Sequence, residues 1–362
     1  MIRDRTLRIW LLGVALTLAS LVGGAAALAQ SKGPPVVVPL LLCPWGCGPT
    51  EGDTILMNQM VRAGSRVTLL PQETPGYIYN IREMVNEKHW KKSVFSTEDV
   101  IIQLALKWGG SPELKEFMPE KIPIRFKLLY GEAWWPIGKF LVTFEPSIKK
   151  IADLKGKRIS IGLRGQSDWG MFPRMFLEHA YGITPQNADI RHLTPTVVTQ
   201  QLIDGTTDAG VTNFGTEPFL KEIMLPAPIR QLEASGKQMR YLGFDKEVID
   251  KMNAKFGTTW LHAVIPAGTL PKQTEPLSVG INRGYKAVHP DFPEDIAYEI
   301  VMAVAKHGPQ MKDLHVLWKF WSPELMVAGM SDENTHPGAK RALVELGWWE
   351  KTKQYKPMTY PQ

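Results

Sequence analysis

The sequence predicts an α/β protein of two lobes, each built from βα units around a sheet, with a ligand cleft between them. Three observations carry this. Short apolar, β-branched runs alternate with segments of helical period. The alternation stops near residue 131 and restarts near residue 158. At 362 residues, the chain has room for about two domains of roughly 100–200 residues each. Hydrophobic residues make up 44% and charged residues 22%. That is the balance of a folded globular protein, and it excludes disorder over most of the length as well as collagen-like and disulfide-dense scaffolds. The formal charge of +6 falls to +4 without the first 29 residues, which carry Arg3, Arg5 and Arg8 against Asp4. So mild an excess argues against a nucleic-acid partner.

Residues 1–29 have the form of a secretory signal: a basic start, an apolar stretch from Trp10 to Val22, and Ala27-Leu28-Ala29 before Gln30. Cleavage there would release a periplasmic protein; a retained anchor helix is the alternative. No later run reaches the ~18 apolar residues of a membrane span. In an oxidising space, Cys43 and Cys47 have the opportunity to pair. Their spacing differs from C-x-x-C and no second pair completes a zinc site, so a loop staple is expected over a redox or metal role.

From residue 30 the elements follow in order. Val36 to Leu42 is a strand buried on both faces. Thr50 to Asp53 fits a capping box for a helix carrying Leu56, Met60 and Val61. Arg66 to Leu70 is the next strand, and Thr74-Pro75 suits the start of a helix with Ile78, Ile81 and Val85 on one face. Lys91 to Phe95 is a strand, then Ser96 to Asp99 a second capping box before Val100, Leu104 and Trp108. Three loops, at 43–50, 71–75 and 95–97, thus gather at one carboxyl edge, where α/β sheets bind ligands. Arg125 to Thr143, broken by Gly131 and Pro136, reads as the crossing between lobes. Beyond it, strands are expected at 158–162, 191–193, 207–212 and 239–244, the last leading back. Helices are expected before Gly182, from Thr196 to Asp204 and from Thr216-Glu217-Pro218. Pro293 to Lys306 and Pro337 to Leu346 read as later helices. The division expected is 30–135 for the first lobe, 136–240 for the second, and 241–362 for the return to the first lobe with the C-terminal helices.

Catalytic patterns are missing. Gly165 to Gly170 is one residue too long for a nucleophile elbow. There is no H-E-x-x-H, P-loop or G-x-G-x-x-G, and no His stands at i+3 or i+4 from another His or Cys. Glu51, Asp53, Glu98 and Asp99 fall in first helical turns, where interaction with the helix dipole explains them. The reading is a binding protein without cofactor or metal. An exported enzyme using Ser167 or a cysteine, or a ligand sensor on the same scaffold, is the alternative.

Several local motifs point to a family. His336-Pro337-Gly338-Ala339 is followed by Glu345-Leu346-Gly347; Ile151 to Arg158 contains Leu154-Lys155-Gly156-Lys157; Gln201 to Gly205 is followed by Asp208-Ala209. In these motifs, and in element order over 36–347, the chain resembles the TAXI family, the solute receptors of one branch of tripartite (TRAP) transporters. The resemblance implies a type II-like periplasmic binding protein that closes on a small solute, a carboxylate among the candidates, and delivers it to TRAP-type permease subunits. Its ligand would lie between Trp45, Gly46, Gly48, Thr50, Gly76, Tyr77, Asn80 and Ser96 of the first lobe and Arg164, Gln166, Ser167, Trp169, Asn213 and Phe214 of the second. Arg164 would be the counter-charge of a carboxylate, or else a surface ion pair. Trp45, Tyr77 and Trp169 would wall the pocket, or else pack in the core. The first loop departs from the family's G-G-T-Y-Y-P form: here it is Cys43 to Thr50, followed by Glu51 and Asp53. Carboxylates in that turn oppose the anion a helix start would attract.

Overall fold

The structure is a computed structural model that describes residues 33–45, 47–138, 140–217 and 222–360; the expected signal segment and Gly46 lie outside these. In chain order the strands are β1 (Val36–Leu41), β2 (Val67–Gln72), β3 (Val94–Glu98), β4 (Lys127–Gly131), β5 (Trp135–Gly138), β6 (Phe140–Thr143), β7 (Arg158–Ile161), β8 (Asp189–His192), β9 (Ala209–Val211), β10 (Phe214–Thr216), β11 (Ile223–Met224), β12 (Arg240–Gly243), β13 (Leu261–Ile265), β14 (Leu277–Ile281) and β15 (Gly284–Val288). They form three sheets of orders β2-β1-β3-β15-β4, β11-β10-β5-β14-β13 and β12-β6-β9-β7-β8.

The first sheet is the base of one lobe. β1 runs parallel to β2 and β3, as helical crossovers require. Those crossovers are α1 (Gly48–Arg62) and α2 (Tyr77–Glu83); α3 (Asp99–Trp108) follows β3 and leads to β4. β15 enters antiparallel between β3 and β4. The other two sheets make the second lobe. Its parallel part, β9-β7-β8, is served by α4 (Phe172–Tyr181) and α5 (Pro195–Asp204), followed by α6 (Ala227–Ala234) and α7 (Lys246–Phe256). The architecture is the two-lobe α/β one that the alternation predicts.

Two connections join the lobes. β4 passes through Glu132–Trp134 into β5, and β14 passes through Asn282–Arg283 into β15. β5 and β14 are themselves paired, Gly138 with Gly280 and Ile137 with Ile281, so the crossings run side by side. The return lies later than expected. Arg240–Gly243 does not lead back; it is an edge strand paired with Phe140–Thr143, and the first sheet is re-entered only at Gly284. Likewise Thr216, expected to open a helix, closes strand β10, and β11 follows at Ile223–Met224, with 218–221 outside the described residues. Phe214 stacks on Phe140 with ring centroids 4.6 Å apart, and tertiary packing of this kind overrides local start signals.

Helix starts also differ from the capping boxes. α1 begins at Gly48, so Thr50 lies inside it. α2 begins after Gly76 rather than at Thr74-Pro75. Ser96 and Thr97 stay in β3, and Glu98 is the residue before α3. In each case the strand tip is pinned by burial, and the chain turns one to three residues from where the motif suggests.

α8 (Glu294–Leu314), α9 (Pro323–Val327) and α10 (Pro337–Glu345) complete the first lobe. His336 caps α10: its Nδ1 accepts from the Gly338 N–H at 3.3 Å, which leaves Nε2 to donate to the Phe292 carbonyl at 2.9 Å. Burial leads in holding His336 below the ordinary histidine range, as it does for His89, His179, His192, His289 and His307. The unfolded chain therefore takes up protons near pH 6.5 that the folded chain refuses until lower pH. Stability should fall as pH drops from 7 through about 6.5 and below. Denaturant titrations at pH 7.5 and 5.5 check this; equal midpoints would show that burial does not govern these rings.

Candidate interlobe site

The site starts from one antiparallel register. Lys286 of β15 lies opposite Ser96 of β3 on one side and Tyr130 of β4 on the other. Directly opposed residues point to the same face, so Ser96, Lys286 and Tyr130 form a row across the sheet. Ser96 is fully buried, Tyr130 is 1% exposed and Lys286 is 3% exposed. The Lys286 ammonium is 2.9 Å from Asp53 Oδ2 of α1 and 2.8 Å from Glu132 Oε1 of the first connection. Tyr77, at the start of α2, donates to the same Glu132 oxygen at 2.9 Å.

Electrostatics follows from burial. Burial alone would lower the Lys286 pKa; Asp53 and Glu132 outweigh it and hold the ammonium above its ordinary range. Burial, reinforced by Asp53, raises Glu132 despite Lys286 and Tyr77. Tyr77 is pushed well up by burial and then by Glu132, Glu98 and Asp53, so its hydroxyl keeps its proton and donates. Ser96 Oγ, Thr97 Oγ1, Tyr130 Oη and Glu132 Oε2 are buried with no hydrogen-bond partner. A cavity of about 20 Å³ is lined among others by Asp53, Tyr130, Glu132, Trp134, Lys286 and Trp318. Among the described residues, no group of three or more His, Cys, Asp or Glu is placed to hold a metal ion.

The second lobe reaches this region through the loop before α4. Ser167 opens a single π-helical turn, Ser167–Met171, and its Oγ donates to Glu98 Oε1 at 3.0 Å. The Gly165 carbonyl accepts from the Ile78 N–H at 3.0 Å. Gly76 makes that approach possible: its φ is +137°, and a Cβ there would stand 2.5 Å from the Gly165 oxygen. At the outer edge Glu116 of the first lobe accepts from Arg164 at 2.6 Å and lies 3.5 Å from His192 Nε2.

The residues singled out from the sequence therefore divide. Gly76, Tyr77, Ser96 and Ser167 are gathered here. Gln166 is buried beside them, where its Oε1 accepts from the Leu163 N–H at 3.0 Å and shapes the turn. Asn80 is fully buried and ties the loops together: it donates to the Leu42 and Ser96 carbonyls at 2.7 and 3.3 Å and accepts from Thr74 at 2.7 Å. Asn80→Ala should cost about 2–3 kcal/mol, since it removes several hydrogen bonds between buried groups at once; a thermal midpoint within a degree of the parent would refute that role. Thr50 donates to the Cys43 carbonyl at 2.7 Å. Cys43 and Cys47 are bonded, with Cα atoms 6.1 Å apart. Gly48 opens α1 against Leu317, where a Cβ would stand 2.4 Å from Cδ1.

Other positions are placed elsewhere. Trp45 is 60% exposed. The Arg164 side chain is 57% exposed and forms a surface ion pair with Glu116. Phe214 is core. Trp169 is half-buried against that core, and Asn213 is half-buried between β9 and β10. Sequence reading missed Asp53, Glu98, Tyr130, Glu132 and Lys286 as site residues. One signal was there: Lys286 is a lone charge inside Gly284-Tyr285-Lys286-Ala287-Val288, a run fit for a strand buried on both faces.

Fold and site together define a two-lobe protein whose lobes clasp over a polar, buried floor. Residues 132–347, more than half of the chain, match the NMT1-like family, and the chain belongs to that family. It is also similar in structure to the periplasmic binding protein BugD, at 13% identity over 89% of this chain and 98% of that one with a TM-score of 0.48. MatC from Rhodopseudomonas palustris with bound malate aligns at 11% identity over 89% and 98%, TM-score 0.47. A structure described as a periplasmic transporter aligns at 13% over 91% and 100%, TM-score 0.47. No curated protein matches the sequence.

Proposed function

We propose that the protein captures a small solute between its lobes in the periplasm and hands it to a membrane permease, the TRAP type being the partner the sequence resemblance implies. One observation carries this reading. The two lobes meet through Ser167–Glu98 and Gly165–Ile78 beside a floor of buried hydroxyl and carboxylate atoms that lack partners. Buried polar atoms left unpaired are costly, and a solute entering an opened cleft would supply what they lack. Paired connections at one end suit hinge closure. The cavity of about 20 Å³, lined by the first lobe and the connection at Glu132–Trp134, has room for roughly one water, so the rest of a solute would occupy cleft space beyond it that opens as the lobes part.

The enzyme alternative finds less support. Both cysteines are held in a disulfide, which removes them as nucleophiles. The decisive experiment is native mass spectrometry of the exported protein, followed by X-ray scattering with and without the recovered solute. A smaller radius with solute, and solute recovered unchanged, is expected. An unchanged radius at saturation would end the closure reading, and turnover of the solute would establish the enzyme. Co-purification with the permease subunits tests delivery separately.

A further inference from the structure

The charge of the crevice floor indicates what kind of solute it admits. This inference rests on the solute-capture reading and narrows it. Asp53, Glu132 and Lys286 line the cavity, and among the described residues lining it Lys286 is the one cation. Its ammonium is already shared between both carboxylates, at 2.9 and 2.8 Å. Glu98 stands next along, 3.0 Å from Ser167 Oγ. A carboxylate-bearing solute would thus meet carboxylates on several sides and a lysine already engaged. Arg164, the sequence's candidate for that counter-charge, pairs with Glu116 at the surface.

A second observation is independent of the acidic residues. Tyr130 lines the same cavity and is 1% exposed, and its hydroxyl has no hydrogen-bond partner. Glu132 Oε2 is likewise unpartnered. A primary ammonium carries three N–H donors, and Tyr130 Oη, Glu132 Oε2 and the Asp53 carboxylate offer three acceptors on one cavity. Trp134 and Trp318 are also among the lining residues, and aromatic rings stabilise cations nearby. At about 20 Å³, the space suits a group the size of one water, which an –NH₃⁺ head is and a trimethylammonium head is not. We propose that this cavity seats a primary ammonium group, so that the captured solute is a small organic amine.

The test uses the full exported protein after dialysis. Thermal unfolding and calorimetry are run with 1,4-diaminobutane, butylamine, tetramethylammonium and succinate, alongside scattering. The primary amines should raise the unfolding temperature and compact the protein; tetramethylammonium and succinate should do neither. Tyr130→Phe removes a hydroxyl that has no partner, so the fold should keep its unliganded melting temperature while amine affinity drops about tenfold. Glu132→Gln should weaken the amines by about 10–100-fold, the range for a hydrogen bond to a charged group. Compaction by succinate without amine binding overturns the amine assignment and leaves solute capture standing. Amine affinity unaltered in Tyr130→Phe and Glu132→Gln overturns the placement, and no effect of any amine overturns the proposal outright. No radius change with any recovered solute defeats capture itself.

Discussion

Lys286→Met is expected to destabilise the protein by about 3–5 kcal/mol, the usual result of removing one partner from a buried ionic cluster. The ammonium is 3% exposed and balances Asp53 and Glu132, themselves 4% exposed each. Methionine fills the volume but leaves two buried carboxylates facing each other. The loss should depend on pH in a defined direction. Glu132 is already raised above its ordinary value by burial and Asp53, and without Lys286 it rises further. A carboxyl raised in the folded state favours folding below its unfolded pKa, and that contribution is lost as pH rises through the folded value. The deficit should therefore be smallest near the ordinary carboxylate range and grow toward neutrality. Adding Glu132→Gln should recover part of it by removing one of the two charges. Urea unfolding of the single and double variants from pH 4.5 to 8 measures all of this. A single-variant loss under about 1 kcal/mol, flat with pH, would show that the cluster is not a coupled unit.

Gly76→Ala is expected to block closure of the lobes. Gly76 adopts φ +137°, where an L residue is strained, and its added Cβ would stand 2.5 Å from the Gly165 carbonyl across the cleft. The strain, about 1–2 kcal/mol by analogy with other left-handed positions, applies in every conformation. The clash applies only when the lobes meet, because Gly165 belongs to the other one. Open and closed forms should thus separate: modest loss of stability, but a scattering radius that stays large in the presence of the solute and affinity down tenfold or more. Glu116→Gln, which loosens the outer contact with Arg164, should give a milder shift in the same direction. A Gly76→Ala protein that compacts on solute as the parent does would show that the closed contact tolerates a side chain there.

Much of the architecture was determined by the sequence alone. The βα alternation, its interruption between Gly131 and Arg158, and the β-branched run at Val36–Leu42 are local patterns, and hydrophobic periodicity reports them directly. That the loops after β1, β2 and β3 share one edge follows from the rule for parallel units; Ser167 comes from another sheet, and its approach to Glu98 is set by the tertiary structure. Tertiary structure decided what the local code leaves out. Asp53 and Glu98 look like residues of a helix start, which is their sequence context. Only the antiparallel insertion of β15 between β3 and β4 brings Lys286 opposite Ser96 and Tyr130. That strand lies almost two hundred residues along the chain from β3, and no spacing rule connects them. The return of the chain at Gly284 rather than at Met239–Phe244 has the same origin. A strand's partner is chosen by the sheet edge that is available and by packing such as Phe214 on Phe140, neither of which is written in the strand's own residues.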